Sequence, residues 1–98
     1  MKAKLLLRKR LILAEACFAD IKIWSVPQPV RGSQQDIKYS LALVSNETCV
    51  LRYDNEAGKG DHKHLDGDEV EYAFVDLERL QDDFWKDVEL WMKDHTPS

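Results

Sequence analysis

The sequence predicts an α+β fold: an antiparallel meander sheet of four to five strands, with a C-terminal amphipathic helix packed on one face. Three observations predict it. Ala16 to Val26 (ACFADIKIWSV) alternates with period two and is rich in branched and aromatic residues, as a strand requires. Ile37 to Val44 and Thr48 to Tyr53 flank Ser45-Asn46-Glu47, which reads as a hairpin around a short turn. Leu77, Leu80, Phe84, Val88 and Trp91 recur at helical spacing and form one apolar stripe.

The elements follow in order. Lys4 to Ala14 is apolar with a basic break at Arg8-Lys9-Arg10, and reads as a strand with a short helix as the alternative. In the next strand Phe18, Asp20, Lys22 and Trp24 take one side, and Cys17, Ala19, Ile21 and Ile23 the other. Pro27-Gln28-Pro29 ends it, because proline cannot donate to a ladder. Val30 to Asp36 reads as a loop around Arg31-Gly32-Ser33. Ile37, Tyr39, Leu41 and Leu43 share a face of the third strand. A glycine-hinged loop follows Tyr53, then Asp66-Gly67-Asp68 and a short strand from Val70 to Phe74. Asp76 is placed to cap a helix that runs to about Lys93, with Trp85 and Met92 widening its stripe. The aromatic residues of that stripe read as core rather than as a base-stacking surface, whereas Trp24 fits either role.

Ninety-eight residues make a single domain, 1-98, that buries roughly 60–68% of its unfolded surface. The apolar fraction of 44% and charged fraction of 33% exclude a disordered chain. No 18-residue apolar run exists, and Arg8-Lys9-Arg10 breaks the signal-like start, so a cytoplasmic protein with no membrane segment is expected. The net charge of -4 hides a split. Met1 to Leu65 carries 11 Lys/Arg against 7 Asp/Glu, and Asp66 to Ser98 carries 3 against 11. Such a split suggests two faces with different partners, or merely one helix's solvated side. Cys17 and Cys49 lie among apolar residues and read as buried reduced thiols, without metal-type spacing.

The chemistry-bearing groups are concentrated between Arg52 and His64. Arg52 and Asp54 are two apart on a strand and share a face, opposite Leu51 and Tyr53. His62 and His64 are also two apart, so an extended segment would turn both imidazoles one way. Cleaving RNA at a 2′-hydroxyl needs a base for that hydroxyl, an acid for the leaving oxygen and positive charge at the phosphate. Two imidazoles supply the first two needs. Arg52, Lys59 and Lys63 supply the third, and Asp54 orients a partner. This chemistry needs no cofactor or metal ion. A competing reading has His62, His64 and either Asp54 or Asp61 bind a divalent ion. A plain solvated loop accounts for the same residue types, with Asp54-Asn55 as turn chemistry. A partner for Arg52 is then sought in Asp54 or Asp20.

The run RYDNEAGKGDHKH, followed by YAF and DFW, resembles the TumE family of bacterial toxins from type II toxin–antitoxin pairs. The likeness extends to the LLLRKRLI opening, Trp24-Ser25-Val26-Pro27, Lys38-Tyr39 to Leu43, Tyr53-Asp54-Asn55 and Asp83-Phe84-Trp85. It implies a ribonuclease-like toxin with RNA as substrate and a helix-turn-helix antitoxin as partner. The acidic half then gains a meaning, as the surface an antitoxin covers while the basic half meets RNA. The alternative function is a non-catalytic RNA- or protein-binding module. A free edge strand in so small a meander invites pairing into a homodimer.

Overall fold

The computed structural model describes residues 3–28, 35–56 and 60–95. Six strands precede one helix: β1 (Lys4–Ala14), β2 (Cys17–Ser25), β3 (Ile37–Ser45), β4 (Thr48–Glu56), β5 (Gly60–Leu65), β6 (Asp68–Glu71) and α1 (Leu77–His95). They form one sheet in the order β1-β2-β3-β4-β5-β6, with every neighbouring pair antiparallel. The α+β class is as expected, but the sheet has six strands rather than four or five. The additional strand is β5, which lies where the sequence suggests a loop. It is held by six residue pairs with β4, from Leu51↔Leu65 to Glu56↔Gly60. The last strand ends at Glu71, short of the expected Phe74. There the Tyr72 amide donates to the Asp61 carbonyl at 3.0 Å, and the Phe74 ring stacks on Tyr39 with centroids 5.7 Å apart.

The tight turns follow their residues. Ser45↔Thr48 leaves a two-residue loop in which Asn46 (φ 51) and Glu47 (φ 67) are both left-handed, as a type I′ turn demands. Leu65↔Asp68 does the same around Asp66 (φ 49) and Gly67 (φ 91). The Asn46 amide also donates to the Ala16 carbonyl at 2.9 Å, tying two neighbouring hairpin ends together.

Alternation decides what is buried. Cys17, Ala19, Ile21 and Ile23 of β2, Tyr39, Leu41 and Leu43 of β3, and Leu51, Tyr53 and Asn55 of β4 line the covered face. Leu80, Phe84 and Val88 of α1 pack onto them. Each large apolar side chain so buried contributes about 1.5–3 kcal/mol. Asp76 caps α1: its Oδ1 accepts the Arg79 amide at 2.7 Å. Trp85, Trp91 and Met92 lean on the core, and Leu90 faces outward. Both cysteines are free thiols, but only Cys17 is buried. Cys49 is exposed beside the β-bulge at Leu43/Val44, where the pairing shifts and the alternation is lost. Among the described residues no helix or strand packs on the other face, which is open.

Candidate functional site

Register places the site. Across the open face run two rows of directly opposed residues. One is Ala42, Arg52, His64 and Glu69, and the other is Ser40, Asp54, His62 and Glu71. Antiparallel pairing brings such neighbours to about 4.5–5.5 Å between Cβ atoms. Groups that lie 12 residues apart in the chain, such as Arg52 and His64, therefore meet side by side.

His62 is the fixed member, with a side chain only 5% exposed. Its Nδ1 lies 3.0 Å from the Gly60 carbonyl oxygen, and its Nε2 lies 2.7 Å from Asp54 Oδ1. A carbonyl can only accept, so Nδ1 carries a hydrogen. Asp54 Oδ1 is itself buried and has no hydrogen-bond donor among the described residues unless Nε2 also carries one. His64 is the open member, 37% exposed, with its ring edge-on to His62 at 5.1 Å. Glu69 Oε1 lies 3.7 Å from His62 Nε2 and 3.8 Å from His64 Nε2. Arg52 is exposed and makes no ion pair among the described residues. Beside it, an open cleft of about 250 Å³ is lined by Arg52, His64, Cys49 and Gly67. The arrangement offers a reachable imidazole, a carboxylate and an available cation within one row, backed by a clamped imidazole–carboxylate pair.

Over residues 2–92 the chain matches the family described as Toxin TumE. It belongs to the TumE family. Membership assigns it a toxin role and implies an antitoxin partner. No curated protein and no solved structure is significantly similar to the chain. No helix among the described residues is long and apolar enough to cross a membrane.

Of the residues singled out in this TumE-family sequence, the open face gathers Arg52, Asp54, His62 and His64. It does not gather Lys63. That side chain points to the helix, where its Nζ donates to Asp87 Oδ2 at 3.1 Å and lies 3.5 Å from the Tyr53 hydroxyl. Lys59 lies outside the described residues. Asp61, the other candidate ligand, also faces the helix side, where Tyr39 and Gln35 each donate to its Oδ2 at 2.7 Å. Asp20, weighed as a partner for Arg52, instead sits 3.6 Å from Arg10 and 3.9 Å from Lys22. Glu69 is the residue that sequence reasoning missed. The signal was present: an Asp66-Gly67 two-residue turn pairs 65 with 68, and so 64 with 69. Trp24 lies on the open face, partly exposed, with the Lys38 ammonium 5.9 Å from its ring centre.

The covered face holds polar groups of a different kind. Tyr53 donates to Asp87, and Tyr72 donates to Asp83 Oδ2 at 2.7 Å. Burial raises the phenol pKa values of Tyr39, Tyr53 and Tyr72, and the hydrogen bonds to Asp61, Asp87 and Asp83 raise them further. Burial also works to raise the Asp83 carboxyl. The hydrogen bonds from Tyr72 and Arg79 and the Arg79 charge outweigh it, so its net shift is downward.

Proposed function

We propose that this TumE-family protein is a cytoplasmic ribonuclease toxin of a type II pair, and that it cleaves RNA by proton transfer on the open face of its sheet. The observation that carries the reading is the row Arg52–His64–Glu69 backed by the His62–Asp54 clamp. In this reading His64 exchanges protons with the substrate, because it is the exposed imidazole. Arg52 holds the phosphate and offsets the charge that develops as the 2′-oxygen attacks. Glu69 is the second solvent-reachable group able to take or give a proton. His62 and Asp54 act as positioning residues, since a ring held at both nitrogens keeps its neighbour's edge in place. The acidic α1, with Glu78, Asp82, Glu89 and Asp94 exposed, offers a basic segment of a helix-turn-helix antitoxin a surface away from the open face.

The test is growth arrest on expression of the chain, followed by incubation of the purified protein with labelled RNA. His64→Ala is expected to slow cleavage by about 100- to 10,000-fold. It should cost no more than about 1 kcal/mol of stability, because the side chain is only half-buried at the sheet surface. Equal cutting by the parent and the variant would defeat the reading. One observation favours a second reading, a non-catalytic binding module: His62 is buried with both nitrogens engaged, as a structural histidine would be. Intact but retarded RNA in the same assay would select it.

A further inference from the structure

We propose that His62, His64 and Glu69 form a binding site for one zinc ion on the open face, with Asp54 completing the ligand set. The ligating atoms of the first three all lie within 4.8 Å of one another. Both imidazole Nε2 atoms converge on Glu69 Oε1, at 3.7 and 3.8 Å. Tetrahedral zinc, with bonds of about 2.0–2.2 Å, sets its ligand atoms roughly 3.3–3.5 Å apart. Each imidazole–carboxylate contact therefore has to close by only a few tenths of an ångström. The side chains of His64 and Glu69 are 37% and 42% exposed, so a shift of that size stays at the sheet surface and disturbs no core packing.

The second observation is independent of these separations. Gly60 carbonyl oxygen fixes the hydrogen of His62 on Nδ1, which leaves the lone pair of the neutral ring on Nε2. A backbone carbonyl on the far nitrogen is also how ligating histidines are oriented in metal sites. That lone pair faces Asp54 Oδ1 at 2.7 Å, a buried oxygen with no other donor among the described residues. Two lone pairs at that distance need a positive species at them: a proton meets the need as the pair stands, and a zinc ion meets it once the two atoms part by about 0.6 Å to a tetrahedral spacing. Two imidazoles and two carboxylates are a donor set suited to zinc rather than to magnesium, which prefers oxygen ligands.

This inference goes beyond the ribonuclease reading and does not rest on it. Where both hold, zinc takes the Nε2 lone pair that His64 needs to accept a proton, so the zinc-bound form is the inactive one.

The experiment is a calorimetric titration of the metal-stripped full chain with Zn²⁺, with the histidine ring resonances followed by NMR. One saturable ion per chain is expected, with the His62 and His64 signals shifting and those of His95 unmoved. His64→Ala and Glu69→Gln should each weaken binding by about tenfold or more. His95→Ala should leave it unchanged, since that ring is stacked on Trp91 at the end of α1. His64 is half-buried and Glu69 exposed, and an unchanged melting temperature shows that each variant is folded. Failure to saturate at about tenfold molar excess overturns the proposal. So does binding that survives both His64→Ala and Glu69→Gln, or that disappears with His95→Ala. Growth arrest tests the ribonuclease reading separately.

Discussion

Lys63 and His64 are neighbours in the chain and belong to different worlds. Lys63 turns toward the helix, where it is joined to Asp87 and reaches the Tyr53 hydroxyl. His64 turns the other way, toward solvent, Arg52 and Glu69. The same division runs along β4, where Tyr53 and Asn55 are sealed while Arg52 is exposed. On the covered face the polar groups have hydrogen-bond partners, often two each. Asn55, for example, accepts the Tyr39 amide at 2.9 Å and donates to the Ile37 carbonyl at 2.6 Å. The open face leaves Arg52 without an ion pair among the described residues and crowds acceptors around His62. In a sheet covered on one side, parity along the strand decides which polar side chains brace the fold and which remain available for chemistry.

The strongest way to break this division is to strike the covered face at its centre. Phe84 is fully buried and meets Tyr53 edge-on at 5.8 Å. Phe84→Ala should cost about 3–5 kcal/mol, measured by urea unfolding, and should lower toxicity only through the loss of folded protein. A more discriminating pair is Lys63→Met beside His64→Ala. Removing the Lys63 ammonium leaves a partly buried Asp87 with the Tyr53 hydroxyl as its one side-chain donor among the described residues, at a cost of about 1–3 kcal/mol. Activity per folded molecule should stay unchanged. A Lys63→Met protein that is folded yet inert toward RNA would erase the distinction between the faces.

The strands and the helix that bury apolar residues were legible, because β2, β3, β4 and α1 carry clean periods of two or 3.6. β5 was not, for a physical reason. On its helix side Asp61 and Lys63 are polar, tolerated there because Tyr39, Gln35 and Asp87 satisfy them, and Leu65 at the strand end is exposed. A strand whose inward positions are polar shows no hydrophobic alternation, and here cross-strand pairing overrides composition. Four of the five residues of the candidate site were legible: Arg52 with Asp54, and His62 with His64, are same-face pairs at spacing two. The parity that groups the two histidines also places Lys63 between them on the other side. Glu69 stayed hidden because its place beside His64 depends on β5 existing at all.

The covered face should also announce itself at alkaline pH. The raised phenol groups of Tyr39, Tyr53 and Tyr72 hold their protons in the folded protein beyond the ordinary value of 10.0. Their contribution to stability is complete below pH 10 and is lost as pH rises above it, because only the unfolded chain then releases the protons easily. Asp83 works in the opposite sense. Its lowered pKa contributes stability above the model-peptide value of 3.8, lost as pH falls through the folded value. A melting temperature that declines steeply above pH 10, and less so in Tyr72→Phe, is the expected result. A curve flat to pH 12 would mean that the phenols are not held as the covered face requires.

The smallest effect belongs to neither face but to the turn that joins β3 to β4. Glu47 adopts φ 67, a left-handed conformation that costs a side chain with a Cβ about 1–2 kcal/mol. Its predecessor Asn46 is at φ 51, so the two form a type I′ pair, for which Asn-Gly is the preferred sequence. Glu47→Gly relieves the strain but adds freedom to the unfolded chain, and the two effects partly cancel. A net gain of about 0.5–1 kcal/mol is expected, which in a chain of this length raises the melting temperature by roughly 2–8 °C. Glu47 is exposed and remote in register from Arg52 and His64, so RNA cleavage should not change. If cleavage did fall while stability rose, the hairpin end would have to communicate with the open face, and parity alone would no longer separate bracing from chemistry.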